Sequence, residues 1–175
     1  MSKAIKEPIN SLGEFLAHAI TLENESAERY HELADSMETH NNMEMAKLFR
    51  KLAHFGEIHA HEVAHHAEGM ELPQIPPWDY KWSCPEGPES GCQQDAHYLM
   101  DTRQTLEMAL HNEERGRQFY VEVADTSSDE EVSKLANEFA LEEQEHVDIL
   151  KKWLVNLADP DAAPLDDLDP PNMPE

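Results

Sequence analysis

The sequence predicts an all-α protein: four helices arranged as two helical hairpins, joined by a long crossover. Three observations carry this. Apolar residues recur at helical spacing in four long stretches. A proline-rich stretch, roughly residues 69–93, separates the second from the third. The two halves of the chain also repeat one another.

The first helix is expected from about Ser11 to Met37, with Leu12, Phe15, Ala19, Leu22, Ser26, Tyr30 and Leu33 along one face. Ser11 and Glu14 have the form of a capping box at its start. The second runs from about Asn42 to Glu68, and Gly69 suits the left-handed residue that closes a helix. The third covers about Gln94 to Ala124. The fourth covers about Asp129 to Leu157, entered through Thr126, Ser127, Ser128 and Asp129, all cap-forming residues. Short polar links between helices one and two, and three and four, make each pair an antiparallel hairpin. Pro73, Pro76, Pro77, Pro85 and Pro88 keep the middle stretch out of helix. Its length suits a strand of chain that returns along the bundle. The bundle is thus expected over residues 1–157. Residues 158–175 are acidic and proline-rich with no basic residue, and read as a disordered or surface-draped tail.

The repeat is specific. AITLENESAERYHELAD matches MALHNEERGRQFYVEVAD, which pairs Ala19 with Ala109, Glu23 with Glu113, Tyr30 with Tyr120 and Ala34 with Ala124. KLFRKLAHFGEIHA matches KLANEFALEEQEHV, which places His59 on His146. Two hairpins so related would pack with approximate two-fold symmetry.

Thirteen Lys plus Arg face 37 Asp plus Glu, a formal net charge of −24. Such a surface repels nucleic acid and anionic membranes and attracts metal cations. No apolar run approaches the roughly 20 residues of a membrane span. MSKAIKEPIN lacks the apolar core of a signal peptide, so a cytoplasmic location is the expectation. Cys84 and Cys92 match neither a rubredoxin-type CxxC nor a zinc ribbon. Two loop thiols or a short disulfide both fit them.

The decisive feature is where certain charges sit. In helix four the stripe Val132, Leu135, Phe139 resumes at Leu150, Trp153 and Leu157, and Glu143 and His146 fill its gap. In helix three Glu113 interrupts the stripe between Leu110 and Tyr120. In helix one Glu23 lies between Ala19 and Tyr30. In helix two His59 lies between Leu52 and Val63. Each helix therefore places an ionisable group at mid-length on the face that should be buried. Burying a lone carboxylate is costly, and several together repel. Two divalent metals would remove the difficulty. Glu143-x-x-His146 puts both side chains one turn apart on one face. Mixed oxygen and nitrogen ligands suit iron or manganese.

In these residues the chain resembles the rubrerythrin and ferritin-like di-iron family, over about residues 12–157. The resemblance implies a ferritin-like bundle holding two iron ions, with manganese or zinc as alternatives. It implies metal ligands at Glu23, His59, Glu113, Glu143 and His146. It also implies that Tyr30 and Tyr120, two turns beyond their glutamates, line the site as candidate catalytic residues, hydrogen-bonding a carboxylate or passing an electron. The family's second-helix glutamate falls on Gly56, and the next residue, Glu57, is the candidate to replace it, brought round by a π-bulge. His54 and His61 are alternatives. The further glutamate of peroxide-reducing members falls on Gly116. No rubredoxin-like domain accompanies the bundle, so a redox role needs a separate electron donor.

The function implied is oxidation of Fe(II) by hydrogen peroxide or dioxygen, in peroxide scavenging or iron handling. The alternatives are a divalent-metal-binding protein without turnover, with a degenerate or asymmetric site, and a helical interaction protein. Whichever holds, the chain is expected to form a homodimer. His61 and His65, one turn apart on the histidine-rich second helix, suit a separate surface metal site or simply a solvated face.

Overall fold

The computed structural model describes residues 4–83, 87–88 and 101–157. Four helices account for most of them: α1 (Leu12–Thr39), α2 (Met43–His66), α3 (Thr102–Thr126) and α4 (Glu130–Leu157). α1 packs along α2, and α3 along α4, so the expected ferritin-like arrangement of two hairpins is present. A short 3-10 turn, Pro77–Asp79, is the only other helical segment among the described residues.

The helix boundaries follow local chemistry. The side chain of Asn42 caps α2 by accepting from the Met45 amide. Asp101 and Gln104 form a complete capping box on α3, at a start some eight residues later than the expected Gln94. Asp129 accepts from the amides of Glu131 and Val132 and so caps α4. Ser11 does flank α1, but its side chain makes no capping hydrogen bond. The link between α1 and α2 turns through Asn41 at φ 58, a left-handed conformation that Asn tolerates. α2 closes at Ala67, short of the expected Glu68, and Gly69 takes φ +78 just beyond it.

Two apolar clusters fill the bundle, one toward each end. One joins Phe15 and Leu22 of α1 to Val63, Phe119, Val132 and Phe139. The other joins Leu33 and Met37 of α1 to Phe49, Leu106, Leu150 and Trp153. The starts of α1 and α4 thus share one end with the finishes of α2 and α3. α2 ends at the opposite end from where α3 begins, and the crossover must travel the length of the bundle. Between the clusters lies a belt of buried ionisable side chains.

Part of the crossover is anchored to the bundle. Trp82 pairs with Ile5 in an isolated antiparallel bridge, and the amides of Ala4 and Ile5 donate to Glu122 of α3. His18, fully buried on α1, accepts from the Lys81 amide at 3.0 Å and donates from Nδ1 to the Glu14 carbonyl. Tyr80 hydrogen-bonds Thr21 at 2.7 Å and stacks on Trp82. Burial holds the His18 imidazole below its usual pKa, so it is neutral, as its acceptor role requires. Cys84, Cys92 and residues 158–175 lie outside the described residues. Among the described residues no helix is long and apolar enough to cross a membrane.

Candidate metal centre

Each helix delivers its ionisable side chain to the belt because apolar residues on both sides of it, along the same face, fix the helix's rotation. Glu23, His59, Glu113 and Glu143 are all buried, at 2%, 8%, 6% and 1% exposure, and His146 is nearly so. The five groups converge. His59 Nδ1 lies 3.4 Å from Glu143 Oε1 and 3.8 Å from Glu23 Oε2. His146 Nδ1 lies 3.2 Å from Glu113 Oε2 and 3.7 Å from Glu143 Oε2. The two imidazoles stack at 4.5 Å. The arrangement has two halves, Glu23 with His59 and Glu113 with His146, with Glu143 between them and one oxygen toward each.

The tyrosines repeat this symmetry in a crossed fashion. Tyr120 of α3 donates to Glu23 of α1 at 2.7 Å. Tyr30 of α1 approaches Glu113 of α3 at 3.4 Å. Each tyrosine thus restrains the carboxylate of the opposite hairpin and ties the two hairpins together.

The electrostatics are those of a site made for positive charge. Burial, then repulsion from Glu113 and Glu23, holds the Glu143 carboxyl well above the carboxylate range. Burial also raises Glu23, although His59 and Tyr120 oppose it. Burial pushes Glu113 upward too, but its hydrogen bond and charge interaction with His146 prevail and hold it low. Among the described residues no Lys or Arg forms an ion pair with any of the three carboxylates. With every carboxyl ionised, Glu143 Oε2 is buried with no hydrogen-bond donor among the described residues, and within the protein only a proton shared with Glu113 relieves it. Such an orphaned acceptor costs about 1–3 kcal/mol. A cation between the halves would satisfy it, and His59, Glu143 and His146 offer ligand atoms all within 4.8 Å of one another. The donor set fits a metal with mixed oxygen and nitrogen preference.

Glu57 is the expected ligand that the structure does not bring to the site. α2 is regular α-helix through this stretch, with no π-bulge to turn the residue inward. Glu57 instead faces solvent, 2.8 Å from His31 Nε2 and 3.5 Å from His54, and those imidazoles hold its carboxyl below the usual range. His54 and His61 are exposed as well, so neither stands in for a fourth carboxylate. His65 is exposed and pairs with Glu68 rather than with His61.

Gly56 explains the vacancy in the repeat. A Cβ there would lie 3.2 Å from Ala27 Cβ and 3.3 Å from both the Ala27 nitrogen and the Glu23 carbonyl oxygen. α1 and α2 touch at this point, and a side chain would wedge them apart. Gly56 serves the helix contact where its repeat partner, Glu143, serves the site.

Two groups near the site escaped the sequence reading. Phe55 stacks on His146 at 5.6 Å and, with Leu52, Ile149, Leu150 and Trp153, lines a small cavity against Glu113 and His146. On the other side, Glu62 and Glu142 place ligand atoms within 4.8 Å of His59. The helical spacing of Glu62 from His59 was visible, but its meeting with Glu142 needs the tertiary structure.

A family model described as Rubrerythrin matches residues 14–80 and 104–166. Among solved structures, an uncharacterized conserved protein of Magnetospirillum magnetotacticum MS-1 is 46% identical with a TM-score of 0.64. That match covers 83% of this chain and 94% of the other. No functionally curated protein matches the chain.

Proposed function

This chain belongs to the rubrerythrin family, and we propose that it is a dinuclear-iron oxidoreductase that oxidises Fe(II) with hydrogen peroxide or dioxygen. The observation that carries the reading is the convergence of three buried carboxylates and two imidazoles from four helices, with no Lys or Arg paired to them among the described residues. Glu23 with His59 would hold one iron, Glu113 with His146 the other, and Glu143 would bridge them. Bound there, the pair supplies the two electrons that convert peroxide, with two protons, to two molecules of water.

The protein's part is to bind, orient and exclude water. The apolar clusters above and below the belt keep bulk solvent from the ligands, which strengthens every charge interaction inside. Burial raises the pKa of Glu143 and of Glu23, so protons compete with cations for these carboxyls and metal affinity rises with pH. Tyr120 fixes the orientation of Glu23 and Tyr30 that of Glu113. In this reading they are positioning residues, and each phenol is also within reach to supply a proton or an electron. Electrons to return the iron to Fe(II) come from a separate donor.

A second reading has one specific observation behind it. With Gly56 in place of a fourth carboxylate, the centre offers five ligands and a single bridge. A protein that holds divalent metal without turnover needs no more.

The test is anaerobic loading with Fe(II), followed by peroxide and, separately, air. The reading expects about two irons per chain and an oxo-bridged absorption band on oxidation. It expects both to be lost in Glu143→Ala and His146→Ala. Retention of two bound irons with no oxidation by either oxidant would replace it with the binding reading.

A further inference from the structure

The two hairpins repeat one another at Glu23 with Glu113 and His59 with His146, and differ at Gly56 with Glu143 and just outside the ligands. In the register that places His59 on His146, Phe55 falls on Glu142 and Glu62 falls on Ile149. Beside His146, then, the flank of the site is Phe55 and Ile149, which help to close an apolar cavity. Beside His59 the equivalent positions are two carboxylates. Their oxygens and a nitrogen of His59 all lie within 4.8 Å of one another.

We propose that His59, Glu62 and Glu142 form a loading site, which captures a divalent cation at the surface and passes it inward to Glu23 and Glu143. This rests on the dinuclear reading of the centre and goes beyond it, because neither Glu62 nor Glu142 belongs to that ligand set.

Exposure falls stepwise along this path. Glu142 is exposed, Glu62 half-buried, and His59 nine-tenths buried. Glu143, the next residue inward, is 1% exposed and turns Oε1 toward His59 at 3.4 Å. His59 itself makes no hydrogen bond. Among the described residues its ion-pair contacts, to Glu23 and Glu143, are through Nδ1. Glu62 and Glu142 form no hydrogen bond or ion pair among the described residues. Two carboxylates and one imidazole nitrogen within 4.8 Å of one another offer three ligand atoms to one cation, in a mixed donor set suited to iron, manganese or cobalt. His59 belongs both to this group and to the centre, so one ligand contacts the cation before and after transfer. The apolar flank at Phe55 and Ile149 offers a cation no such first step, which makes the loading path one-sided.

Cobalt(II) tests this without redox chemistry, since its visible d–d absorption reports occupancy of buried nitrogen and oxygen sites. Stopped-flow mixing of the full chain with Co(II) gives a loading rate and a final amplitude. The double variant E62Q/E142Q should reach the same two-cobalt amplitude about tenfold more slowly, the scale on which a charged path raises association. E130Q/E131Q, which removes the same charge from the exposed start of α4, should load within about twofold of the wild-type rate. If the double variant fails to fold, E62Q and E142Q singly should each show part of the slowing. An unchanged rate in E62Q/E142Q, or equal slowing in E130Q/E131Q, would overturn the loading site. A wild-type endpoint below two cobalt ions per chain would instead overturn the dinuclear reading, and the loading site with it.

Discussion

Replacing Glu143 with leucine should stabilise the metal-free protein and destabilise the metal-loaded one relative to wild type. Glu143 is 1% exposed, one of its oxygens has no hydrogen-bond donor among the described residues when the carboxyls are ionised, and Glu23 and Glu113 disfavour its charged form. A buried acceptor left unpaired costs about 1–3 kcal/mol. Exchanging a buried ionic group for an apolar one of similar volume is neutral to stabilising by about 1–4 kcal/mol. Glu143→Leu should therefore raise metal-free stability by about 1–3 kcal/mol, or about 2–12 °C in Tm for a chain of this size. Metal reverses the order. A ligand at a hundred times its Kd adds about 2.7 kcal/mol to a folded state that alone binds it. The wild type should gain that much for each metal bound, whereas the variant has lost the bridge on which both sites draw. Urea unfolding in a chelator, and again in excess Mn(II), measures both states without redox complication. The reasoning is refuted if Glu143→Leu is the less stable protein in chelator and still gains the full wild-type increment from Mn(II).

Four further outcomes follow from named contacts. Tyr120→Phe removes a 2.7 Å hydrogen bond to a buried carboxyl and should cost about 1–3 kcal/mol in urea unfolding, whereas Tyr30→Phe, losing a 3.4 Å contact, should cost less. Gly56→Glu drives a Cβ into the Ala27 and Glu23 backbone and should cost about 1–3 kcal/mol of metal-free stability, read from the shift in the urea midpoint, despite its better helix propensity. Glu57→Ala should leave the bound metal content, measured by elemental analysis, unchanged, since Glu57 pairs with His31 on the outer face. His18 is neutral in the fold with its pKa lowered by burial, so the unfolded chain takes up its proton first. Its contribution is full above about pH 6.5 and falls as pH drops from there to the folded pKa. His18→Gln should flatten this part of the stability–pH curve, followed by urea unfolding.

The fold was legible because periodicity and repetition agreed. Stripes such as Val132, Leu135 and Phe139 name the buried face, and the charges that interrupt those stripes name the centre. The burial of Glu23, His59, Glu113 and Glu143 together in one belt was readable in this way, with His146 beside them, and the match of His59 with His146 agreed. Glu57 could reach the site only through a π-bulge, and α2 is regular α-helix there, so Glu57 stays on the outer face. Gly56 answers to the contact of α1 with α2 at Ala27, a constraint between helices that one helix's pattern does not express. Glu142 and Glu62 were missed for a related reason. Each looks like an ordinary acidic residue on its own helix, and their distinction is that two helices bring them to His59 together. α3 starts later than expected because helix-compatible residues such as Ala96, Leu99 and Met100 precede Asp101, whose capping box sets the boundary.

The central claim is that Glu143 bridges two metal ions, each held by one glutamate and one histidine of its own hairpin. Crystals grown anaerobically with Fe(II), with diffraction recorded on both sides of the iron absorption edge, test it most directly. The account predicts two anomalous peaks inside the bundle, one among Glu23, His59 and Glu143 and one among Glu113, His146 and Glu143. A single peak, or iron found only at exposed histidines such as His61 and His65, would contradict it.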